Sequence, residues 1–336
     1  MKISIVKETN QGETRVLMLP NEVSKLVKQG HEVFVEKNAG SQIFIYDKNY
    51  ENVGAKIIED KKKLFGESDL VVKLKAPTEI EFNLLKNNLL FSMLHHEQNP
   101  VYVYFLGKNK CKAIEIESIF NDAKERLVDA TDITGEVGVL YATQHLKKMP
   151  QDSNILMLGY GRVGSGAIKM CNKLDMNIKI LRKEEYSNIE HFIKDKDLLI
   201  NAISWAGEER EKKRYLVKKE MIDLMNSGAV ILDLAVDFPN PIETCRPTSL
   251  NNPYYIERGK IHIGIYGYPG LVPISSSERY SKQVLPLILE IANNKGLEDI
   301  CERGELGKHI SKAIVNPEKM NWKKFKPKES RASYIE

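Results

Sequence analysis

The strongest fold signal in the sequence is residues 154–167, which read Asn154-Ile-Leu-Met-Leu-Gly159-Tyr-Gly161-Arg-Val-Gly164-Ser-Gly166-Ala167. Its apolar first half predicts a buried β-strand, and its glycine-rich second half opens a segment with helical periodicity. In that context Gly159 permits a tight turn, Gly161 lets the backbone approach a pyrophosphate, and Gly164 lets helix and strand pack closely. The helix N-terminus would offer its N–H groups to the phosphates, with Arg162 and Val163 beginning the helix. The stretch therefore predicts a dinucleotide-binding turn.

Strand-like and helix-like segments alternate on both sides of this turn. The strand-like segments are residues 2–6, 31–36, 70–75, 89–95, 154–159, 176–181, 197–202, 229–234 and 261–266; helices are expected over 21–29, 130–148 and 275–291. This alternation predicts the α/β class with mostly parallel sheets. We expect two Rossmann-like, doubly wound domains with an interdomain cleft. Residues 1–127 and 277–336 would form the substrate domain, and residues 128–276 the NAD(P)-binding domain.

The composition is that of a globular protein. The chain has 336 residues, which favours two domains, and 42% of them are hydrophobic. Lys and Arg number 50 against 46 Asp and Glu, a surplus of +4 that is too small to indicate nucleic-acid binding. Half or more of this surplus lies after Pro317, in a tail that is either a packed or solvated extension or a basic anchor for an acidic partner.

Cysteine spacing and apolar run lengths indicate where the protein works. Cys111, Cys171, Cys245 and Cys301 are far apart and form no C-x-x-C pair, which predicts reduced thiols and no metal site. No apolar run approaches the length of a membrane span, and the first residues turn polar too early for a secretory signal. We therefore expect a cytoplasmic protein without membrane or nucleic-acid partners.

The end of the strand after the glycine turn bears on which dinucleotide binds. An NAD-type domain places Asp or Glu there to bond the adenosine ribose, whereas this strand runs into Arg182 and Lys183. Two cations would attract the 2′-phosphate of NADP. Glu184 and Glu185 follow directly, and a shift of one residue would present a carboxylate instead. The sequence thus favours NADP, with NAD as the alternative.

Several polar residues lie at or near predicted strand ends, where open α/β folds bind ligands. They are Arg15, Lys73, Lys75, His95, His96, Asp233 and Asp237. Alternation along the strand places both lysines on one face. Each residue alone has an ordinary structural explanation. Beside a dinucleotide turn, however, an Arg, a Lys and a His provide a carboxylate anchor, a cation to polarise a carbonyl or imine, and a group that titrates near neutrality. This set indicates hydride transfer to a carboxylated substrate.

These residues stand in longer stretches that resemble a known group of enzymes. The stretches are Lys7-Glu-Thr, Glu13-Thr-Arg-Val, Asp69-Leu-Val-Val-Lys-Leu-Lys-Ala-Pro, Leu90-Phe-Ser-Met-Leu-His, the glycine turn, Gly228-Ala-Val-Ile-Leu-Asp-Leu-Ala-Val-Asp, Arg246-Pro-Thr and Pro269-Gly-Leu-Val-Pro. Over nearly its whole length the chain resembles the superfamily of alanine dehydrogenase, lysine-forming saccharopine dehydrogenase and N5-(carboxyethyl)ornithine synthase. The glycine turn and the segment from Pro269 look closest to the carboxyethylornithine synthase branch.

The resemblance implies a role for each matching residue. Arg15 would bind the carboxylate of the oxo acid, Lys75 would polarise the carbonyl or imine, and His95 would be the acid and base. Asp237 would lie beside the nicotinamide and the substrate, whereas Asp233 would be structural. The chain departs from alanine dehydrogenases in two places: Gly267-Tyr-Pro replaces their Asn-Met-Pro, and residues 120–131 form a short charged loop. Both departures put free ammonia as the amine substrate in doubt.

The sequence-based hypothesis is an NADPH-dependent opine-type amino acid dehydrogenase. It would condense pyruvate or a similar 2-oxo acid with the side-chain amine of ornithine or lysine, as a homo-oligomer acting on small molecules. The nearest alternatives are alanine dehydrogenase, which uses ammonia, and a saccharopine-type reaction with 2-oxoglutarate. A catalytically silent dinucleotide-sensing module is the alternative from a different class.

Overall fold

The computed structural model describes residues 1–327 apart from Ala206, Lys213, Lys295 and the side chain of Arg210. The strands are β1 Lys2–Ile5, β2 Glu32–Glu36, β3 Lys56–Ile58, β4 Leu70–Lys75, β5 Leu89–Met93, β6 Lys112–Glu115, β7 Ile155–Leu158, β8 Ile178–Leu181, β9 Leu198–Asn201, β10 Val230–Asp233, β11 Tyr254–Glu257, β12 Lys260–Ile263 and β13 Ile314–Val315. The helices are α1 Pro20–Lys28, α2 Asp47–Glu51, α3 Lys61–Gly66, α4 Glu79–Phe82, α5 Val101–Lys108, α6 Thr131–Thr143, α7 Arg162–Lys173, α8 Ile189–Ile193, α9 Gly207–Glu211, α10 Lys219–Ile222, α11 Pro273–Asn293 and α12 Gly304–Lys312.

The chain divides into two compact units. Unit 1 contains residues 1–129 and 273–336, and unit 2 contains residues 130–272. Each unit therefore has its own sheet and its own hydrophobic core. The prediction of two doubly wound α/β sheets is confirmed.

The sheet of unit 1 has the strand order β13-β6-β5-β4-β1-β2-β3 across its described residues. Neighbouring strands are parallel except for β13, which runs antiparallel to β6. After β3 the chain returns to the other side of β1 and adds β4, β5 and β6 in turn. This reversal between β1 and β4 is a topological switch point, and ligands of open α/β sheets bind beside the carboxyl ends of such strands.

The sheet of unit 2 has the order β11-β12-β10-β9-β7-β8 in the described part of the chain. Its strands are parallel except for β11, which forms an antiparallel hairpin with β12. Here the switch point lies between β7 and β9. The central strand β7 is buried at every residue, since helices cover both faces of a parallel sheet.

Close helix packing fixes the approach of α7 to α6 in unit 2. A Cβ atom at Gly166 would overlap the backbone of Asp132, and one at Gly135 would overlap the carbonyl oxygen of Val163. Glycine at these positions lets the two helix backbones touch. The first turn of α7, which follows the glycine turn, is thereby held in place.

Some elements differ from the sequence prediction. Helix α6 ends at Thr143, so the helix expected over 130–148 is shorter than predicted. Strand β11 was not predicted, and it pairs with β12 through a turn in which Arg258 and Gly259 both have positive φ. No described helix has the length and apolar character needed to cross a membrane.

The described part of the C-terminal tail packs on unit 1. The ring of Trp322 lies 5.7 Å from that of Tyr104 in α5, and Phe325 also packs on this core. This packing supports the interpretation of the tail as a packed extension over that of a basic anchor for an acidic partner. The tail charges Lys328, Glu329, Arg331 and Glu336 lie outside the described residues.

Candidate active site

The glycine turn of unit 2 connects β7 to α7 at the switch point. Gly159 has φ +84°, a conformation that side chains with a Cβ rarely adopt, and a Cβ there would lie 2.9 Å from the carbonyl oxygen of Ala202, just after β9. A Cβ at Gly164 would lie 2.8 Å from the carbonyl oxygen of Gly159. Both positions therefore require glycine for a tight turn and close packing.

Gly161 differs from these two glycines, because neither the packing nor the backbone conformation at this position requires glycine. It caps the N-terminus of α7 with φ −64°, and a Cβ there would meet nothing within 4 Å. Arg162 and Val163 follow as the first residues of the helix. Open space in front of the unpaired N–H groups of a helix suits a phosphate. The turn therefore fits the pyrophosphate of a dinucleotide.

A cleft of about 790 Å³ lies beside the turn. Its lining comes from the turn, from α7 and from the end of β8: Tyr160, Ile168, Ile180, Leu181, Arg182, Lys183, Glu184 and Tyr186. Both cations are exposed. The carboxylate of Glu185, in contrast, accepts a hydrogen bond from the backbone N–H of Arg182 at 2.9 Å and one from Lys179 at 2.8 Å. Glu185 is therefore occupied, and Glu184 is the acid that reaches the cleft.

The two aspartates after β10 have different environments. Asp233 is buried and accepts hydrogen bonds from the side chains of Asn201 at 2.9 Å and Asn240 at 2.7 Å. It also accepts from two backbone N–H groups of the following loop, so it acts as a structural residue. Asp237 is half-buried, and its carboxylate accepts from the backbone N–H of Trp205, which follows β9.

In unit 1, Arg15 follows β1 and is buried with a counter-ion. Its side chain is 2% exposed, and its Nε donates to Glu13 Oε1 at 2.7 Å while its Nη2 donates to Glu13 Oε2. Its guanidinium carbon lies 5.8 Å from the centre of the Tyr280 ring. This bidentate pair fixes the plane of the guanidinium group.

Lys75 ends β4, next to β1 in the sheet. Burial lowers the pKa of Lys75, and the charge of Arg15 lowers it further. The pairing of β4 with β5 shifts register between Val72 and Lys75, so strict alternation does not govern this part of the strand. Lys73 is fully buried and forms an ion pair with Glu8 at 2.9 Å, which gives it a structural role.

His95 follows β5 and is held by Glu117, which lies beyond the end of β6. His95 has φ +48°, its backbone N–H donates to Glu117 Oε1 at 2.5 Å, and its Nδ1 lies 3.2 Å from the same oxygen. Burial and the charge of Lys75 lower the pKa of His95. His96 forms a similar pair with Glu115, with Nδ1 2.9 Å from Oε1.

The sequence reasoning missed the acids that support this site. Glu8, Glu115 and Glu117 are buried, and each contacts a lysine or histidine named above. Glu115 ends β6, a strand that the hydrophobic pattern did not reveal. Isoleucines at positions 114, 116 and 119 surround both acids in the sequence, and this apolar setting was the available signal that Glu115 and Glu117 are buried.

The arrangement defines a class of protein. Unit 1 places Arg15 in the loop after β1, and Lys75 and His95 at the carboxyl ends of the adjacent strands β4 and β5. Burial lowers the pKa of Lys75 and of His95, and the charge of Arg15 lowers the first further while the charge of Lys75 lowers the second. Unit 2 has the turn of a dinucleotide-binding domain. These are the parts of a nicotinamide-dependent oxidoreductase.

Comparison with known families and proteins identifies the group. The family described as alanine dehydrogenase/PNT matches with its N-terminal domain at residues 4–137 and its C-terminal domain at residues 181–316. The alanine dehydrogenase of Staphylococcus epidermidis (strain ATCC 12228 / FDA PCI 1200) is 31% identical over 330 residues, covering 87% of this chain and 88% of that protein. Alanine dehydrogenase 1 of Staphylococcus aureus (strain NCTC 8325 / PS 47) is 31% identical over 344 residues, covering 91% of each. The chain belongs to the alanine dehydrogenase/PNT family.

Solved structures agree with this assignment. An L-alanine dehydrogenase superimposes with a TM-score of 0.82 at 27% identity, covering 94% of this chain and 96% of that chain. A transhydrogenase from Sinorhizobium meliloti has a TM-score of 0.75 at 20% identity, covering 86% and 93%, and shares the fold. The predictions of this superfamily and of an NAD(P)-dependent oxidoreductase acting on a CH–NH or CH–NH2 donor are confirmed. The glycine turn lies outside both family matches, so its assignment depends on its own sequence and geometry.

Proposed function

We propose that the protein is an alanine dehydrogenase, which interconverts pyruvate and L-alanine. The reaction consumes pyruvate, ammonia, a proton and reduced nicotinamide dinucleotide, and yields L-alanine, water and the oxidised dinucleotide. The observation that carries the proposal is the grouping of Arg15, Lys75 and His95 in unit 1. The relatives named alanine dehydrogenase, matched over 87% and 91% of the chain, favour ammonia over the opine-type amine that the sequence suggested.

Each residue of unit 1 has a role that its surroundings support. The guanidinium of Arg15, fixed in plane by Glu13, binds the carboxylate of pyruvate. The ammonium of Lys75 polarises the carbonyl oxygen, where a preformed cation in a partly buried site stabilises developing negative charge. His95 donates and accepts the protons that move as water leaves and the imine forms. A lowered pKa keeps its imidazole neutral at neutral pH, ready to accept a proton.

Unit 2 would hold the dinucleotide. The pyrophosphate would bind at Gly159, Gly161 and Gly164 and at the first N–H groups of α7, from Arg162 and Val163 onward. The bound nicotinamide supplies the hydride that the imine carbon receives. Asp237 is proposed to lie beside the nicotinamide ring.

The cleft beside β8 supports a preference for NADP. Arg182 and Lys183 are exposed in its wall, and Glu185 is turned away from it by its bonds to Arg182 and Lys179. Two cations favour the 2′-phosphate of NADP. Glu184 lies in the same wall, and its carboxylate could accept a hydrogen bond from the adenosine ribose of NAD.

One observation favours a second candidate, the opine-type condensation with ornithine or lysine. The loop after β6 forms a tight turn closed by a bridge between Phe120 and Arg126, and the charge of Arg126 contributes to lowering the pKa of His95. An ornithine or lysine substrate brings a second carboxylate, which such a cation would bind.

A substrate screen distinguishes the two candidates. Initial rates would be measured with pyruvate, NADPH or NADH, and ammonia, ornithine or lysine in turn. Alanine dehydrogenase activity predicts turnover when the amine is ammonia, and none when it is ornithine or lysine. Arg126→Ala should then leave the rate with ammonia within about threefold of wild type. Turnover with ornithine or lysine but not with ammonia would reverse the choice. Lys75→Ala should abolish turnover with either amine if Lys75 polarises the carbonyl. Its matched control is Lys112→Ala, which removes an exposed lysine at the opposite end of β6 from Glu115.

A further inference from the structure

His309 is a buried histidine with an unsatisfied ring nitrogen. It lies in the last turn of α12, and its side chain is 5% exposed. Its Nδ1 atom is buried and makes no hydrogen bond within the part of the chain that the structure describes. A buried polar atom without a partner costs free energy, and in a native structure it requires an explanation, such as an ion.

Two exposed carboxylates face this ring. Asp122 Oδ1 lies 3.9 Å from Nδ1 of His309, and Glu305 Oε1 lies 3.8 Å from Nε2. Both separations are too long for a hydrogen bond. One ligand atom from each of the three side chains lies within 4.8 Å of the other two. The three groups are thus close enough to bind one ion together.

The fold of unit 1 brings these residues together. Strand β13 runs antiparallel to β6, with Ile314 opposite Ile114, so α12, which precedes β13, leads in at the carboxyl end of β6. The loop that contains Asp122 begins at the same end. Glu305 and His309 are four residues apart in α12 and therefore lie on one face of the helix. The pairing of β13 with β6 thus places the helix beside the loop.

The loop presents Asp122 on a formed turn. The backbone N–H of Asn121 donates to the carbonyl oxygen of Glu125 at 2.8 Å, and that of Lys124 donates to the carbonyl oxygen of Asn121 at 2.9 Å. The side-chain oxygen of Asn121 also accepts from the backbone N–H of Glu125 at 2.8 Å. Asp122 lies inside this turn with its side chain 73% exposed, so its carboxylate can turn toward His309 without a change in the backbone.

We propose that His309, Asp122 and Glu305 bind one divalent transition metal ion, and that Zn²⁺ is the metal best suited to them. Zinc takes imidazole nitrogen and carboxylate oxygen ligands at about 2.0–2.2 Å, and three such ligands leave a fourth position for water. Ligand atoms of one tetrahedral zinc ion are then about 3.4 Å apart, so the exposed carboxylates need to move by about 1 Å. Coordination through Nδ1 gives this nitrogen the partner that it lacks.

Lys312 competes with the metal for Asp122. Its Nζ lies 3.8 Å from Asp122 Oδ1, and the lysine side chain is 66% exposed. An exposed ion pair contributes little stability, so zinc displaces this lysine at small cost. Without metal, a protonated His309 between the two carboxylates is the alternative explanation of the cluster. The sequence prediction of no metal site rested on cysteine spacing, and this set of three ligands contains no cysteine.

A metal ion at this position would join the loop to α12. Asp122 comes from residues 120–126, whereas Glu305 and His309 come from the helix. The ion would therefore restrict the motion of the loop relative to the helix. This role is structural and does not depend on the proposed function.

The first test measures metal binding to the full chain by calorimetry. One Zn²⁺ should bind per chain, whereas Mg²⁺, which prefers oxygen ligands and keeps its water, should not bind at this site. Asp122→Asn and Glu305→Gln each remove the charge of one ligand and should raise the Kd for Zn²⁺ by at least about 10-fold. The matched control is Glu302→Gln, which changes an exposed acid outside the cluster and should keep the wild-type Kd.

Both altered carboxylates are exposed, so these variants should fold even where removal of the buried His309 prevents folding. No Zn²⁺ binding by the wild type, or wild-type affinity in both variants, would overturn the proposal. Zinc also binds thiolates, and Cys301 is exposed. Cys301→Ser should keep the wild-type Kd. Loss of binding in Cys301→Ser, with affinity retained in Glu305→Gln, would assign the ion to the thiol and overturn the proposal.

The second test locates the ion by hydrogen exchange. The backbone N–H groups of Lys124 and Leu127 are held by hydrogen bonds of 2.9 Å in and beside the loop. Zn²⁺ should slow their exchange in the wild type and leave it unchanged in Asp122→Asn. Zinc binding without slower exchange would overturn the joining of loop and helix. Neither test uses turnover, so an inactive enzyme with the predicted zinc site would refute the proposed function alone.

Discussion

Two glycines of the dinucleotide turn should respond oppositely to the same substitution. At Gly164 the added methyl would lie 2.8 Å from the backbone oxygen of Gly159 and 2.9 Å from Cε of Met157. Backbone must move to admit it, and overpacking of this kind costs about 1–3 kcal/mol of stability. At Gly161 the methyl meets nothing within 4 Å, and the ordinary φ of −64° adds no strain, so only about 0.5 kcal/mol of helix capping is lost.

Gly161→Ala should weaken dinucleotide binding although it changes the stability of the fold little. The methyl of Gly161→Ala would occupy the space that a phosphate needs in order to reach the N–H groups of α7. Loss of one charge-assisted hydrogen bond costs about 1.5–3 kcal/mol, which corresponds to about a 10- to 100-fold rise in the Kd for NADPH. Urea unfolding gives the stability, and titration of NADPH fluorescence gives the Kd. Gly161→Ala should bind weakly while unfolding almost as wild type does.

A control outside the turn completes the comparison. Gly66, in α3, also has open space around its Cβ position and an ordinary backbone conformation. Gly66→Ala should leave both the urea midpoint and the Kd for NADPH nearly unchanged. Wild-type affinity in Gly161→Ala would refute the assignment of the pyrophosphate to this turn, and a wild-type urea midpoint in Gly164→Ala would refute the packing argument.

Three further substitutions test the roles of Lys75, Arg182 and Asp197. Lys75→Ala should lower kcat by at least about 100-fold, because the cation that stabilises developing charge is lost, and should leave the Kd for NADPH unchanged. Retained turnover would exclude Lys75 from the mechanism. Arg182→Ala should raise the KM for NADPH about 10- to 100-fold and leave that for NADH nearly constant in steady-state assays, and equal effects would contradict the NADP preference. Burial alone would raise the pKa of Asp197, but hydrogen bonds from Asn154, Lys148 and Asn226 outweigh it and lower that pKa. Because the folded-state pKa is lowered, this stabilisation is present above the unfolded-state pKa of about 3.9 and is lost as the pH falls through the folded-state value. Asp197→Asn should therefore flatten the acid side of the urea midpoint measured against pH, and an unchanged slope would count against these bonds.

Local patterns predicted the central elements well. Strand β4 begins and ends where the apolar run 70–75 indicated, and β7 leads into the glycine turn as the sequence required. These strands are buried on both faces, so their apolar runs are continuous and their boundaries are marked by polar residues and glycine. Lys75 and Asp233 are the last residues of β4 and β10 and His95 follows β5 closely, whereas Lys73 lies within β4 and Arg15 lies in the loop after β1.

The elements that were missed lie at sheet edges or depend on tertiary pairing. Strand β13 has only two residues and exists because it pairs with β6. Strand β11 is half-exposed and carries a polar and apolar mixture, although the Arg258-Gly259 turn offered a hairpin signal. Periodicity cannot show that Glu117 lies beside His95, because that contact joins the ends of two strands whose order in the sheet comes from the whole fold.

Alanine dehydrogenase activity can be tested by following the transferred hydrogen itself. NADPH carrying deuterium at both C4 positions would be incubated with the enzyme, pyruvate and ammonia, and the product would be analysed by mass spectrometry, with Lys75→Ala as the inactive control. Transfer of hydride to the imine carbon predicts L-alanine that carries deuterium on its α-carbon. Alanine without deuterium, or no alanine from any reduced dinucleotide, would contradict it.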